Sequence, residues 1–273
     1  MLSPRQLVED NIRPAELLLK VYRLLEHDTP ATDGEMVQAL RNLVQANADE
    51  GLMVIYNEIF LGLIRERAQI APIAIRRSAL CNLLRQAVAT ACTALETYLP
   101  ILLRTQLPRV IQSKGREFVP KDKEVAEQFK NFTINLTEVA RLLTDPDPLF
   151  IANKMISFVN FSYLSGKRGI HVTGSLLGIN DPWSQIAERL GRDEEDLKKI
   201  VEETVNRRND IVHRADRDKK NLDGPPQEIG YAWAKQAVDT ISHVCLCLDE
   251  LVSAQVAEMQ KQPAEPQAGA GEE

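Results

Sequence analysis

Arg208, Asn209 and His213 fall within one short stretch, Arg208-Asn209-Asp210-Ile211-Val212-His213. Each residue type has a use in phosphoryl chemistry. A guanidinium presents a planar fork of donors that matches phosphate oxygens. An imidazole titrates near neutrality, so it can take or give a proton at working pH. RNA carries its own nucleophile, the 2′-hydroxyl. A base to deprotonate it, an acid for the leaving 5′-oxygen and a cation on the phosphoryl oxygens suffice for cleavage without metal. The products are a 2′,3′-cyclic phosphate and a 5′-hydroxyl. His213 fits the base or the acid, Arg208 the phosphate clamp, and Asn209 a group that positions the phosphate or orients His213. Asp210 joins them as a supporting residue.

The element that must position these groups begins at Asp193. Asp193, Glu194, Glu195 and Asp196 crowd the positive end of a helix, where acids are favoured. Leu197, Ile200, Val201, Thr204 and Val205 then recur at helical spacing as an apolar stripe. Continued one turn, that stripe meets Arg208, and a guanidinium on a buried face is costly unless paired. Glu96 is the expected partner for Arg207 or Arg208: it follows Cys92 by one turn on a face of small and apolar residues. The plainer alternative is a boundary glutamate reaching water. Five residues along a helix turn through about 140°, so Arg208 and His213 do not share a face. Either the helix ends near Val212 or the site is shared between two chains. The basic run Arg214, Arg217, Lys219 and Lys220 follows, suited to tracking an RNA backbone. It reads equally well as a solvated loop.

The stretch Arg-Asn-Asp-Ile-Val-His resembles the R-x4-6-H motif of HEPN domains and is similar in wording to the variant of the RiboL-PSP-HEPN group. The order of elements agrees with that resemblance. A small-residue helix at Ala87–Leu99 precedes the motif, and a long final helix follows it. The resemblance covers about residues 75 to 255. It implies an all-α, HEPN-like helical bundle and a metal-independent endoribonuclease with Arg208 and His213 as catalytic residues, no metal and no cofactor. It also implies a homodimer in which two motifs meet in one cleft. Such proteins serve as toxins, phage-defence effectors or RNA-processing enzymes, the toxins with an inhibitor or antitoxin as partner. The motif arginine is left open, since Arg207 to His213 fits the same variable spacing. Two other readings stand beside the enzyme. One is a HEPN-like domain that only dimerises or binds RNA or nucleotide. The other is a helical adaptor with Arg208 as a satisfied core ion.

The rest of the chain sets limits. Its 273 residues are 44% hydrophobic but only 5% aromatic, so aliphatic side chains do the packing, and the net charge is -6. Bulk charge does not advertise nucleic-acid binding, which must rest on a local patch. Cys81, Cys92, Cys245 and Cys247 lie in helical patterns without paired metal-ligand spacing, so buried thiols are expected and no metal site. With no signal peptide or membrane span in view, a cytoplasmic protein without membrane contact is expected.

Three parts are expected: an N-terminal helical extension over 1–70, a HEPN-like domain over 71–257 and a disordered tail over 258–273. Helices are predicted over 1–27 (interrupted by Pro14), from near Asp33 to Ala68, from Pro72 to Leu103, from Lys121 to Leu143 and from Leu149 to Leu164. Further helices are expected from Pro182 to Leu190, along the motif stretch, and from Glu228 to Ala257. Ser113–Pro120 and Ser165–Gly174 read as loops. In the second, Lys167 and Arg168 are candidates for a phosphate and His171 is a loop histidine.

Overall fold

The computed structural model describes residues 3–25, 77–115, 118, 123–158 and 164–261. Expectations for the helix from Asp33 to Ala68, and for the tail beyond Lys261, lie outside these residues. The protein is all-α. Among the described residues the only extended pairing is one isolated bridge between Asp218 and Asn221.

Helix α1 spans Pro4–Leu25. Ser3 and Gln6 cap it reciprocally, Gln6 N–H donating to Ser3 Oγ and Ser3 N–H to Gln6 Oε1, a Ser-x-x-Gln capping box. Pro14 does not interrupt it. The proline sits on the exposed face, so the Asp10 carbonyl it strands faces water. Val8, Ile12, Ala15, Leu19 and Tyr22 form the buried stripe. Helix α2 spans Arg77–Lys114, eleven residues past its expected end at Leu103. It runs through Pro100 and Pro108 because Leu99, Leu102, Leu103, Leu107 and Val110 stay buried on both sides of them. Tertiary packing, not propensity, holds most helices together. The predicted loop over 113–120 therefore begins only at Gly115, whose φ of 52° ends the helix.

The single helix expected over 121–143 is two. Helix α3 spans Lys123–Gln128 and α4 spans Leu136–Thr144. Between them the chain turns at Phe129–Ile134, and Asn135 starts α4 in a capping box with Glu138. Helix α5 spans Pro148–Phe158. Phe129, Phe132 and Phe158 gather edge-on and stacked within 6.0 Å of one another.

The loop expected at Ser165–Gly174 is helix α6, Gly166–Leu176, and His171 is a half-buried helical residue. Gly166 opens it at a φ of 61°, and the other two glycines serve close packing. A Cβ at Gly169 would stand 2.4 Å from the Leu164 carbonyl carbon, and one at Gly174 would stand 2.5 Å from Pro182 Cγ. Helix α7 spans Pro182–Leu190, closed by Gly191 as expected, and α8 spans Glu194–Arg214. Helix α9, Tyr231–Lys261, starts three residues later than expected and passes four beyond Ala257.

Helix α2 is the central element, packed against α1, α5, α6, α8 and α9. By length and composition its Ala79–Lys114 stretch is apolar enough to cross a membrane, but most of its most apolar part is buried inside the protein, the setting of a core helix. Helix α1 packs on α2 and α9 and belongs to the same core, so this part of the N-terminal extension is not a separate unit. Arg5 Nη1 reaches Glu250 Oε1 at 3.1 Å and Asn11 donates to Thr97 Oγ1 at 3.1 Å.

Two outcomes follow from this packing. Gly174→Ala should lower stability by about 1–3 kcal/mol, because the added methyl meets the Pro182 ring; an unchanged melting temperature would contradict the close contact. Asp249 is 8% exposed beneath Tyr98, whose hydroxyl donates to Asp249 Oδ1 at 3.5 Å. Burial raises the Asp249 carboxyl above its usual range. Its folded-state value exceeds the unfolded value of about 4, so its contribution is complete below that pH and is lost as pH rises through the folded value. Asp249→Asn keeps an acceptor for Tyr98 and removes the ionisation. Urea unfolding should therefore show the Asn variant gaining on the wild type between pH 4 and 7, and parallel curves would refute this.

Candidate active site

The motif lies on the last two turns of α8. Asp193 caps the helix by accepting from Asp196 N–H at 2.9 Å, and Glu194, Glu195 and Asp196 occupy its first turn. Leu197, Val201 and Thr204 are buried, and Arg208 continues their face. The helix does not stop near Val212. It runs on through Arg214 and ends at Ala215, which adopts the left-handed conformation. One continuous helix therefore holds Arg208 and His213 about 140° apart, while Asn209 and His213 are only about 40° apart. Asn209 is half-buried and His213 exposed.

Arg208 meets Glu96 of α2 in an ion pair, with 17% and 31% of the two side chains exposed. Arg208 also lies against the Cys92 thiol. Burial pushes that thiol up to about 12, an effect the Arg208 charge and hydrogen bond partly oppose. Cys92 Sγ contacts the Thr204 carbonyl at 3.8 Å. The thiol is neutral and packs as a small hydrophobe. Cys245 and Cys247 are buried as well, and Cys81 is half-buried. Among the described residues no group of three His, Cys, Asp or Glu is arranged to hold a metal ion.

Arg207 does something different. Its fork closes on Asp216, Nη2 reaching Oδ2 at 2.9 Å and Nε bonding Oδ1. The same Nη2 donates to the Glu228 carbonyl at 2.9 Å and the Gln227 carbonyl at 3.2 Å. The guanidinium carbon stands 5.6 Å from the Trp233 ring centroid, within cation–π range. Asp216 is fully buried and receives a second arginine, Arg85 of α2, Nε to Oδ2 at 2.6 Å. Neither Arg85 nor Asp216 was singled out from sequence. Asp216 sits in a polar run that reads as solvated loop. Arg85 carried a signal, a cation among Leu84, Ala87 and Val88, of the same kind that marked Arg208.

The basic run divides. Arg214 pairs with Asp210 one turn back, and Arg217 Nε donates to the Gly224 carbonyl at 3.0 Å. The first pair lies within α8, and the second bond closes the loop after it. Lys219 and Lys220 are exposed. Lys167, a phosphate candidate, pairs with Glu202 of α8 at 2.6 Å. Val212 and Leu222 are exposed at 57% and 56%, an apolar surface near the motif's open end.

A model of the family described as RiboL-PSP-HEPN matches residues 63–254. The match takes in α2 to α8 and most of α9 and leaves α1 outside. No curated protein and no solved structure matches the chain.

Removing Glu96 strands a half-buried guanidinium beside an uncharged thiol. Glu96→Ala should therefore cost about 1–3 kcal/mol, and Glu96→Gln less, since one acceptor remains. In the double-mutant cycle, Arg208→Ala should cost clearly less in the Glu96→Ala background. Additive effects in urea unfolding would show that the pair is not coupled.

Proposed function

Because the chain belongs to the RiboL-PSP-HEPN family, we propose that it is a metal-independent endoribonuclease acting on single-stranded RNA. One observation carries this reading: Asn209 and His213 share the outer face at the exposed end of α8, while Arg208 is anchored one turn back by Glu96. His213 takes the 2′-hydroxyl proton or protonates the 5′-oxygen. The 2′-oxygen bonds to phosphorus as the bond to the 5′-oxygen breaks, giving a 2′,3′-cyclic phosphate and a 5′-hydroxyl. A guanidinium fork stabilises the charge that grows on the phosphoryl oxygens.

The angle between Arg208 and His213 favours a site completed by a second copy. A twofold interface is self-complementary, and exposed Val212 supplies apolar surface beside His213. A homodimer joined at this end of α8 brings one chain's histidine toward the other's arginine. We place the protein in the cytoplasm as a toxin or phage-defence effector restrained by a cognate inhibitor. A specific observation favours a second reading, a HEPN-like module that dimerises or binds RNA without cutting it: the Arg208 charge is already met by Glu96, and a phosphate must compete for it.

Loss of a general acid–base group costs about 10²- to 10⁴-fold in rate. His213→Ala should lose that much cleavage of a 3′-end-labelled RNA while keeping its size-exclusion position. Wild-type activity should persist in EDTA, and a 2′-deoxy nucleotide at the cut should block it. Undiminished cleavage by His213→Ala, or cutting of the deoxy substrate, refutes the mechanism; RNA binding without cleavage favours the second reading.

A further inference from the structure

We propose that Arg85 is a positioning residue that sets the place of His213 through Asp216. The inference rests on the ribonuclease reading of the motif for its effect on rate, and on geometry alone for its effect on the helix end. His213 is exposed, and no side-chain hydrogen bond among the described residues holds it. Its location is therefore set by the backbone of the last turn of α8. That turn ends in two successive residues with left-handed backbone, Ala215 at φ 49° and Asp216 at φ 63°. Side chains with a Cβ resist this conformation, which persists only where the surroundings over-determine it.

Asp216 is where they do so. Its N–H donates to the Asp210 carbonyl at 2.9 Å, and its carbonyl accepts from Gln227 N–H at 2.7 Å. Its carboxylate is closed off by Arg85 and Arg207. Arg85 then bonds the Gln227 carbonyl through Nη2 at 2.8 Å and Asn82 Oδ1 through Nη1 at 3.1 Å. Arg85 thus ties both the helix stop and the returning strand of the loop to the central helix α2. It is 9% exposed, its donors are spent on protein acceptors, and it lies 131 residues from Asp216 in sequence. It reaches His213 only through the end of α8. Arg207 shares this duty, which separates it from Arg208: the Arg207 fork belongs to the helix stop, leaving Arg208 as the motif arginine.

The test is Arg85→Gln, with Arg85→Lys beside it to keep a charge should the Gln variant not fold. Amide hydrogen exchange is read along α8 and cleavage at saturating RNA is followed in parallel. The expected result for Arg85→Gln is exchange at least about tenfold faster at residues 211–216, with residues 197–205 unchanged. In the same variant kcat should fall by about 10- to 100-fold at constant KM, with partial recovery in Arg85→Lys. A folded variant with unchanged exchange at the helix end overturns the proposal. So does a rate loss that only tracks the unfolded fraction or appears only in KM. If the wild type cuts no RNA while Arg85→Gln still loosens residues 211–216, the ribonuclease reading falls and the clamp stands.

Discussion

Two guanidinium groups converge on a carboxylate that water does not reach. Burying Asp216 alone would be prohibitive, and burying either arginine half-paired would be nearly so. Together they satisfy one another, and the Nη2 groups of both arginines also close on the Gln227 and Glu228 carbonyls. Three segments distant in sequence are thereby joined: the second and third turns of α2, the end of α8 and the approach to α9. The termination of α8, the route of the polar loop after it and the entry angle of α9 all follow from this one contact. A single carboxylate against two arginines also leaves a net positive charge at the C-terminal end of α8, where the helix dipole favours it.

The same helix handles its second arginine by a separate device. Arg208 stands about 100° around α8 from Arg207 and meets Glu96 near solvent. The contrast in exposure separates the two. Asp216 is sealed, whereas nearly a third of the Glu96 side chain is open. A sealed pair fixes geometry; a partly open one can exchange its partner for a ligand oxygen at far lower cost.

How much of this could be read in the sequence depended on whether a signal was local. The α8 start and the Gly191 stop before it follow from spacing within one or two helical turns, as do the apolar faces that leave Arg208 and Glu96 each in need of a partner, and the structure shows the stop, the start and the pair. Long-range packing defeated the rest. The end expected at Leu103 is passed because α2 is carried beyond it by the side chains it buries. Ser165–Gly174 is expected as a loop, but Gly169 and Gly174 let Leu164 and Pro182 approach, and sequence does not distinguish such a glycine from one needed for a turn. The Asn135-x-x-Glu138 box that starts α4 is a local signal, and the single helix expected over 121–143 runs across it. Asp216 gave no sign, because only the fold brings Arg85 to it.

Helix α1 joins parts of the chain far apart in sequence. Its buried face rests on α2 and α9, and Arg5 reaches across 245 residues to Glu250. Tyr22 stacks on Tyr231 at 6.1 Å, and Arg23 stands 5.0 Å from the same ring at the start of α9. Helix α1 leaves the ribosome well before α9 and gains that partner only when α9 emerges, and contacts of such separation form late. Gln227, Glu228 and Trp233, which Arg207 requires, arrive at the same stage. A nascent chain therefore holds its motif on an unfinished scaffold until α9 has been made. For a protein able to cut RNA, that delay would keep the unfinished chain from acting on the message that encodes it.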